Sequence, residues 1–310
     1  MRILVTGSTG VVGSRLIPLL LRGDHRVTAV ARSPASRQKL QREGAVAIEL
    51  DLFDRAAVNR AVQGHDAVIN LATHMPSSTT RMFWRGNWRE NDRLRREASG
   101  TLVEAALAGG ATRFIQESFA PVYPDRGDTW IDEATPIAPV AYNRTIADAE
   151  AHAGSFSSNG RAGIVLRFGA FYGPDAGQVV DMIGWIKRGW APMPGPRTAY
   201  ISSCSHDDAA TAAAEAMALP AGIYNVADDD PLTHEEYVAS LATALRVPMP
   251  KLPPSWMTAI MGSLGELLSR SVRVSNRKLR SMSTWEPKYP SVRDGWPPVL
   301  AQMAATGRLS

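Results

Sequence analysis

The sequence predicts an α/β fold, a doubly wound parallel sheet with a smaller C-terminal lobe, and three observations carry that prediction. Strand-like and helix-like periodicities alternate through the first half of the chain, the pattern of a parallel sheet with helices on both faces. A glycine-rich loop directly follows the first strand pattern. After residue 172 the texture changes, with Pro and Gly clustered at 173–177, 189–197 and 248–254 between helical stretches.

The elements follow in order. Arg2–Thr6 reads as a short buried strand, and Val11–Leu21 as a helix despite Pro18, which removes a hydrogen bond from its interior. Arg26–Ala31, Ala45–Leu50, Asp66–Ala72, Arg113–Ser118 and Gly163–Phe168 read as further strands. Helical patterns lie between them at 34–43, 54–63, 91–108 and 142–156, and later near 178–188, 207–218, 233–245 and 256–270. Gly222–Val226 is a short strand expected to return to the sheet edge. The division is therefore 1–172, with its sheet completed by part of 200–228, and 173–310 as mainly a substrate-binding lobe. Such a length, 310 residues, suits one large α/β unit plus a smaller lobe.

Composition excludes several classes. Hydrophobic residues make up 45% and charged residues 21%, ordinary for a globular protein. No apolar run reaches a membrane span, and MRILVTGSTG is not a signal peptide, so the expectation is a cytoplasmic protein with no membrane partner. The single cysteine, Cys204, excludes an internal disulfide and argues against a Cys-based metal site; no metal is expected. The pI is about 9.4. The net charge is only +4, and Glu90, Asp92 and Glu97 interrupt the arginine-rich run at 81–97, so no nucleic-acid partner is expected.

The loop Thr6-Gly7-Ser8-Thr9-Gly10-Val11-Val12-Gly13 stands between the first strand and the first helix. Its first glycine permits a tight turn, its second lets backbone approach a pyrophosphate, and its third lets the helix pack closely on the strand. The helix N-terminus then offers free N–H groups to phosphates. This is a Rossmann-type signature, and Gly7, Thr9, Gly10, Val11, Val12 and Gly13 are the expected cofactor contacts. No acid lies between Asp24 and Glu43, so the usual ribose-binding carboxylate is missing at the end of the second strand. Arg32 and Ser33 stand there instead, and an arginine suits the 2′-phosphate of NADP. Asp51 and Leu52 are placed to reach the adenine, and Leu71, Ala72 and Thr73 to line the path to the nicotinamide ribose.

The chain resembles an extended short-chain dehydrogenase/reductase of the NAD-dependent epimerase/dehydratase type. The resemblance rests on TGSTGVVG, SFAPVYP at 118–124, AYNRTIADAE at 141–150 with its downstream Glu150, RFGAFYGP at 167–174, and SHDDAATA at 205–212. GIYNVADDDPLT and the stretch 273–296 extend it through the C-terminal lobe. It implies a catalytic tyrosine at Tyr142, with Ser118 one residue short of the serine/threonine position, which holds Phe119. The lysine that lowers the tyrosine's pKa and holds the nicotinamide ribose is replaced by Ile146, which stays a cofactor-side contact. Phe168, Gly169 and Ala170 are expected at the nicotinamide amide through backbone groups.

A tyrosine without that cation keeps a pKa near ~10 or above, so it can donate a hydrogen bond but is a poor base at neutral pH. Reduction of an activated ketone tolerates this best, and an aromatic polyketide of the angucyclinone type polarises its own ketone through a neighbouring phenol. The expected function is thus an NADPH-dependent ketoreductase. A nucleotide-sugar epimerase or dehydratase, and a non-catalytic NADP-binding sensor or scaffold, are the rival readings. His74, at the cleft mouth, Trp84 and Trp88, four residues apart and on one face if helical, Phe119 and Tyr123 are candidate substrate contacts, each weighed against a structural role. Asp228-Asp229-Asp230 is read as a solvated turn. A monomer or a homodimer is expected.

Overall fold

In the computed structural model, residues 1–76, 79–82, 84–254 and 256–309 are described; Phe83, within the arginine-rich run, lies outside them. Seven parallel strands form the central sheet: β1 (Arg2–Thr6), β2 (Arg26–Val30), β3 (Val46–Ile48), β4 (Ala67–Asn70), β5 (Arg113–Phe119), β6 (Ala162–Phe168) and β7 (Gly222–Val226). Their order is β3-β2-β1-β4-β5-β6-β7, so the chain winds outward from β1 in both directions. As expected, Gly222–Val226 closes the edge beside β6. Every residue of β4 is buried, as a strand covered on both faces must be.

Two apolar layers cover the sheet. On one face, Leu16, Ile17 and Leu20 of α1 (Gly13–Arg22) join Leu40 of α2 (Pro34–Arg42) and the alanine face of a later helix, Ala209 to Ala216. The opposite face is covered by Val58 and Val62 of α3 (Arg55–Val62), Leu102 and Ala106 of α4 (Ser99–Ala108), and Ala153 of α5 (Ile146–Ser155). Pro18 sits inside α1 and the helix runs on through it. Asp54 caps α3 by accepting from the Ala57 amide at 3.0 Å.

The C-terminal lobe has its own core. It is built from α6 (Gly177–Lys187), α8 (His234–Leu245) and α10 (Val292–Ala305), whereas α7 (His206–Glu215) is the alanine-faced helix on the sheet and α9 (Gly262–Ser269) lies outside this core. Ile183, Tyr237 and Leu241 pack with Trp296, Val299, Leu300 and Met303, which share one face of α10.

Several expectations are corrected. The expected helix over 142–156 begins at Ile146, because residues 141–145 form turns in which Asn143 Oδ1 accepts from the Val140 amide. The expected helix over 91–108 contains a π-helical turn at Leu94–Ala98, preceded by Arg89–Arg93 and a 3₁₀ turn at Arg85–Trp88. The stretch 256–270 is two short helices broken at Gly262, whose φ is +57°. The aspartate run is a solvated turn only at its end, where Asp230 is exposed. Asp228 is buried and accepts from the Ser203 amide at 2.9 Å, while Asp229 holds Arg280 and Asp230 holds Arg293.

Candidate active site

The glycine loop is built as its spacing requires. Gly7 has φ +67°, and a Cβ there would lie 2.2 Å from the Leu71 carbonyl oxygen. A Cβ on Gly13 would lie 2.3 Å from the Gly7 carbonyl, so the helix start is pressed against the loop. Ser8 is buried and bonded to the Val5 carbonyl, while Thr9 and Gly10 face outward. The N-terminus of α1 has no side-chain cap and no acid in its first turn, so its amides suit an anionic ligand. Val11 and Val12 pack on the core beneath it. Arg15 is engaged by Asp175 and Asp207, at 2.6 and 2.8 Å.

At the far end of the loop, the Arg32 side chain is 80% exposed and its guanidinium lies 3.6 Å from Glu90. Ser33 caps α2 by accepting from the Ser36 amide. Asp51 is exposed and accepts from the Phe53 amide, with Leu52 beside it half-buried. At the C-terminal ends of β1 and β4, Thr6 donates to Asn70 at 2.6 Å, and Asn70 donates to Gln116 in the middle of β5 at 2.9 Å. Asn70 Oδ1 also accepts from the Ala72 amide, which fixes the path of Leu71, Ala72 and Thr73. Composition and spacing gave no signal for this polar seam.

Behind β6, Phe168 is fully buried. Of the backbone groups expected at the nicotinamide amide, two N–H groups are taken: Gly169 N–H donates to Val226 and Ala170 N–H to Ser202, at 2.9 and 2.8 Å. Those two residues can offer carbonyl groups and side-chain contact, not free amide donors.

Tyr142 stands half-buried at the start of the turn before α5. Its hydroxyl donates to the Met82 carbonyl at 3.1 Å, and its ring meets Trp88 edge-on with centroids 4.6 Å apart. Burial pushes the phenol far above its ordinary pKa, against a weaker downward pull from Arg95. Ile146 is buried and supplies no charge. Arg95, on the π-helical turn packed against α5, is the cation that acts on Tyr142, and it is 7% exposed. Arg81, Arg85, Arg89, Arg93 and Arg96 recur at near-helical spacing, and Arg95, which lies on the π-helical turn, falls outside it. The same charge opposes the upward push that burial gives Glu117 on β5.

Ser118 and Tyr123 are corrected to structural roles. Ser118 points into the interior and donates to Glu150 at 2.5 Å. Glu150 receives two hydrogen bonds from Arg167, at 2.8 and 2.6 Å. Arg167 also donates to the Tyr123 hydroxyl, which donates to Asn225 at 2.9 Å. Tyr123 is fully buried, out of reach of a substrate. Phe119 follows Ser118 in extended backbone and is half-buried on the opposite side of the strand.

The tryptophans do not share a face. Trp84 is 74% exposed, whereas Trp88 is 5% exposed and donates from Nε1 to the Met82 carbonyl. The His74 amide is held by Asn91 at 3.0 Å and its ring lies 3.4 Å from Glu90. Tyr142, Trp88 and Met82 therefore meet directly, with the Arg95 charge acting on the phenol, while His74 is held by Asn91 and faces Glu90. Among the described residues no group of His, Cys, Asp or Glu could hold a metal, and no helix is long and apolar enough to cross a membrane.

The uncapped helix start, the glycine cradle and the outward-wound sheet together define a dinucleotide-binding α/β protein. Residues 7–178 match the NAD(P)H-binding family model. A 3-diazoavenalumate denitrifying reductase of a Streptomyces species is 31% identical over 309 residues, covering 95% of this chain and 99% of the relative. The chain belongs to the NAD(P)H-binding family and is an atypical extended short-chain dehydrogenase/reductase, an NAD(P)-dependent oxidoreductase. Two solved structures share the fold. A human epimerase family protein with NADPH has TM-score 0.78 at 19% identity, covering 96% of this chain and 99% of that one. MoeE5 with UDP-glucuronic acid and NAD has TM-score 0.78 at 21% identity, covering 99% and 100%.

Proposed function

We propose that this protein is an NADPH-dependent reductase of a small-molecule ketone that arrives already activated, of the aromatic polyketide or a similar secondary-metabolite class. The observation that carries the reading is the pairing of an intact cofactor cradle with a neutral Tyr142. The cradle's glycines leave room only for backbone and its helix start is uncapped, which fits a dinucleotide pyrophosphate. Arg32, with no acid at the end of β2, suits a 2′-phosphate. Bound NADPH supplies a hydride.

The chain's own groups position rather than exchange protons. Tyr142 holds its proton, because burial outweighs the Arg95 charge, and donates it to the Met82 carbonyl. Ile146, buried, and Phe119 leave no cation and no hydroxyl where a lysine and a serine/threonine would act, which suits an acceptor that needs neither. A ketone hydrogen-bonded to its own phenol carries the proton that the product alkoxide needs, so the tyrosine need not ionise. Base-dependent epimerisation and dehydration fit this site less well.

A second acceptor is favoured by one observation. The full-length Streptomyces relative is named for denitrifying reduction of a diazo compound. An aryl diazonium that accepts a hydride and releases dinitrogen becomes a neutral arene with no proton from the protein, which also suits Ile146 and Phe119. The test is NADPH oxidation by the full chain with peri-hydroxy aromatic ketones and with aryl diazonium salts, with product and dinitrogen measured. Turnover on the ketones supports the first reading, and dinitrogen release with arene formation moves the assignment to the second. Tight NADPH binding with neither product would sink both.

A further inference from the structure

We propose that Glu90 is a cofactor-specificity residue, a carboxylate that occupies Arg32 in the free protein and must yield it to the 2′-phosphate. The proposal rests on the NADP reading above. Arg32 stands at the end of β2, where this fold normally supplies an acid for the adenosine ribose. Here the acid comes from another element: Glu90, in the helical segment Arg89–Arg93, reaches across with Oε1 3.6 Å from Arg32 Nη1. The same oxygen lies 3.4 Å from His74 Nδ1, in the loop after β4.

Glu90 thus bridges Arg32, just after β2, and His74, in the loop after β4. The neighbouring Asn91 clamps the His74 amide at 3.0 Å, which holds the segment in register with that loop. Arg32 and Glu90 are both largely solvent-facing, with side chains 80% and 45% exposed, so their pairing is weak enough to exchange. A dianionic phosphate is the stronger partner for a guanidinium, by charge and by its bidentate oxygens. On binding, the phosphate takes Arg32 and the Glu90 carboxylate keeps His74. The carboxylate therefore lowers affinity for the phosphorylated cofactor without touching its nicotinamide end.

The experiment measures dissociation constants of NADPH and NADH by calorimetry for the full-length wild type, Glu90→Gln, Arg32→Ala and the double variant, with thermal melts as the folding control. Glu90→Gln is expected to tighten NADPH by roughly two- to fivefold, the size an exposed ion pair carries, and to leave NADH unchanged within error. That gain is expected to vanish when Arg32 is alanine. Weakened NADH in Glu90→Gln would overturn the proposal, because Glu90 would then be holding the ribose hydroxyls. An equal gain in the Arg32→Ala background, or no gain at all, would also overturn it. If Arg32→Ala itself leaves the NADPH to NADH ratio unchanged, the NADP reading fails, which is a separate and distinguishable result.

Discussion

The Tyr142 hydroxyl donates to the carbonyl oxygen of Met82, 3.1 Å away, so the one surviving member of the expected catalytic triad is tied to backbone. Its ring is held at the same time by Trp88, whose indole donates to that same carbonyl. The phenol is a placed, neutral donor. Replacing it should therefore do little to a reaction that needs no proton from the protein. Tyr142→Phe is expected to lower kcat by less than about tenfold, against the 10²–10⁴-fold loss typical of removing a general acid or base. Steady-state kinetics on the active acceptor decides it.

The pH dependence follows from the same burial. The Tyr142 pKa lies far above its ordinary value, so the group does not titrate between pH 6 and 9. The kcat profile is expected to be flat across that range. An inflection there that disappears in Tyr142→Phe would show that the tyrosine ionises during turnover.

Ser118 belongs to the interior network with Glu150 and Arg167. Ser118→Ala should lower stability by about 1.5–3 kcal/mol, the worth of a hydrogen bond to a charged group, and leave kcat within about threefold. Glu150→Ala removes the partner of a buried guanidinium and should destabilise by about 3–5 kcal/mol. Urea unfolding of both variants checks the ranking; a Ser118→Ala enzyme that folds normally and is inactive would restore the serine to catalysis.

Gly13→Ala places a methyl group 2.3 Å from the Gly7 carbonyl, where backbone must move. NADPH affinity is expected to fall by at least roughly tenfold, about 1.4 kcal/mol, while far-ultraviolet circular dichroism stays native. Calorimetric titration reads the loss.

Burial, joined at His206 by the Arg15 charge, lowers the pKa of His206 and of His234 to about 4. In the unfolded chain these rings take protons below about 6.5, and in the folded protein only near 4, so the unfolded state binds more protons in that window. Stability is therefore full above that window and falls as pH drops from about 6.5 toward 4. The raised pKa values of buried Asp208 and Asp228 act in the opposite sense, favouring the folded state at low pH and losing that contribution as pH rises above the carboxylate range. Melting temperatures from pH 4 to 8 should show a net acid slope that flattens in His206→Asn with His234→Gln. An unchanged slope would remove the histidines from the account.

Much of the sheet was legible because a doubly covered strand must be apolar along its whole length, as β4 is, and because the glycine loop needs small residues at fixed spacing. The helix α10 was missed. Gly295, Pro297 and Pro298 hide its period, although Trp296, Val299, Leu300 and Met303 line one face. Ser118 and Tyr123 were misread because a motif shows which residues are near a site and not which way each side chain turns. Arg95 escaped notice because it lies on the π-helical turn, outside the near-helical arginine spacing.

The sequence alone determined the parallel α/β sheet, the cofactor loop and the absence of lysine and serine/threonine at their family positions, since each depends on periodicity or residue identity over a short stretch. Only the tertiary structure decided that Tyr142 is bound to the Met82 carbonyl, that Ser118 faces Glu150, and that Glu90 reaches Arg32 from 58 positions along the chain. Those contacts join residues far apart in sequence, and their existence depends on side-chain direction and on packing between elements.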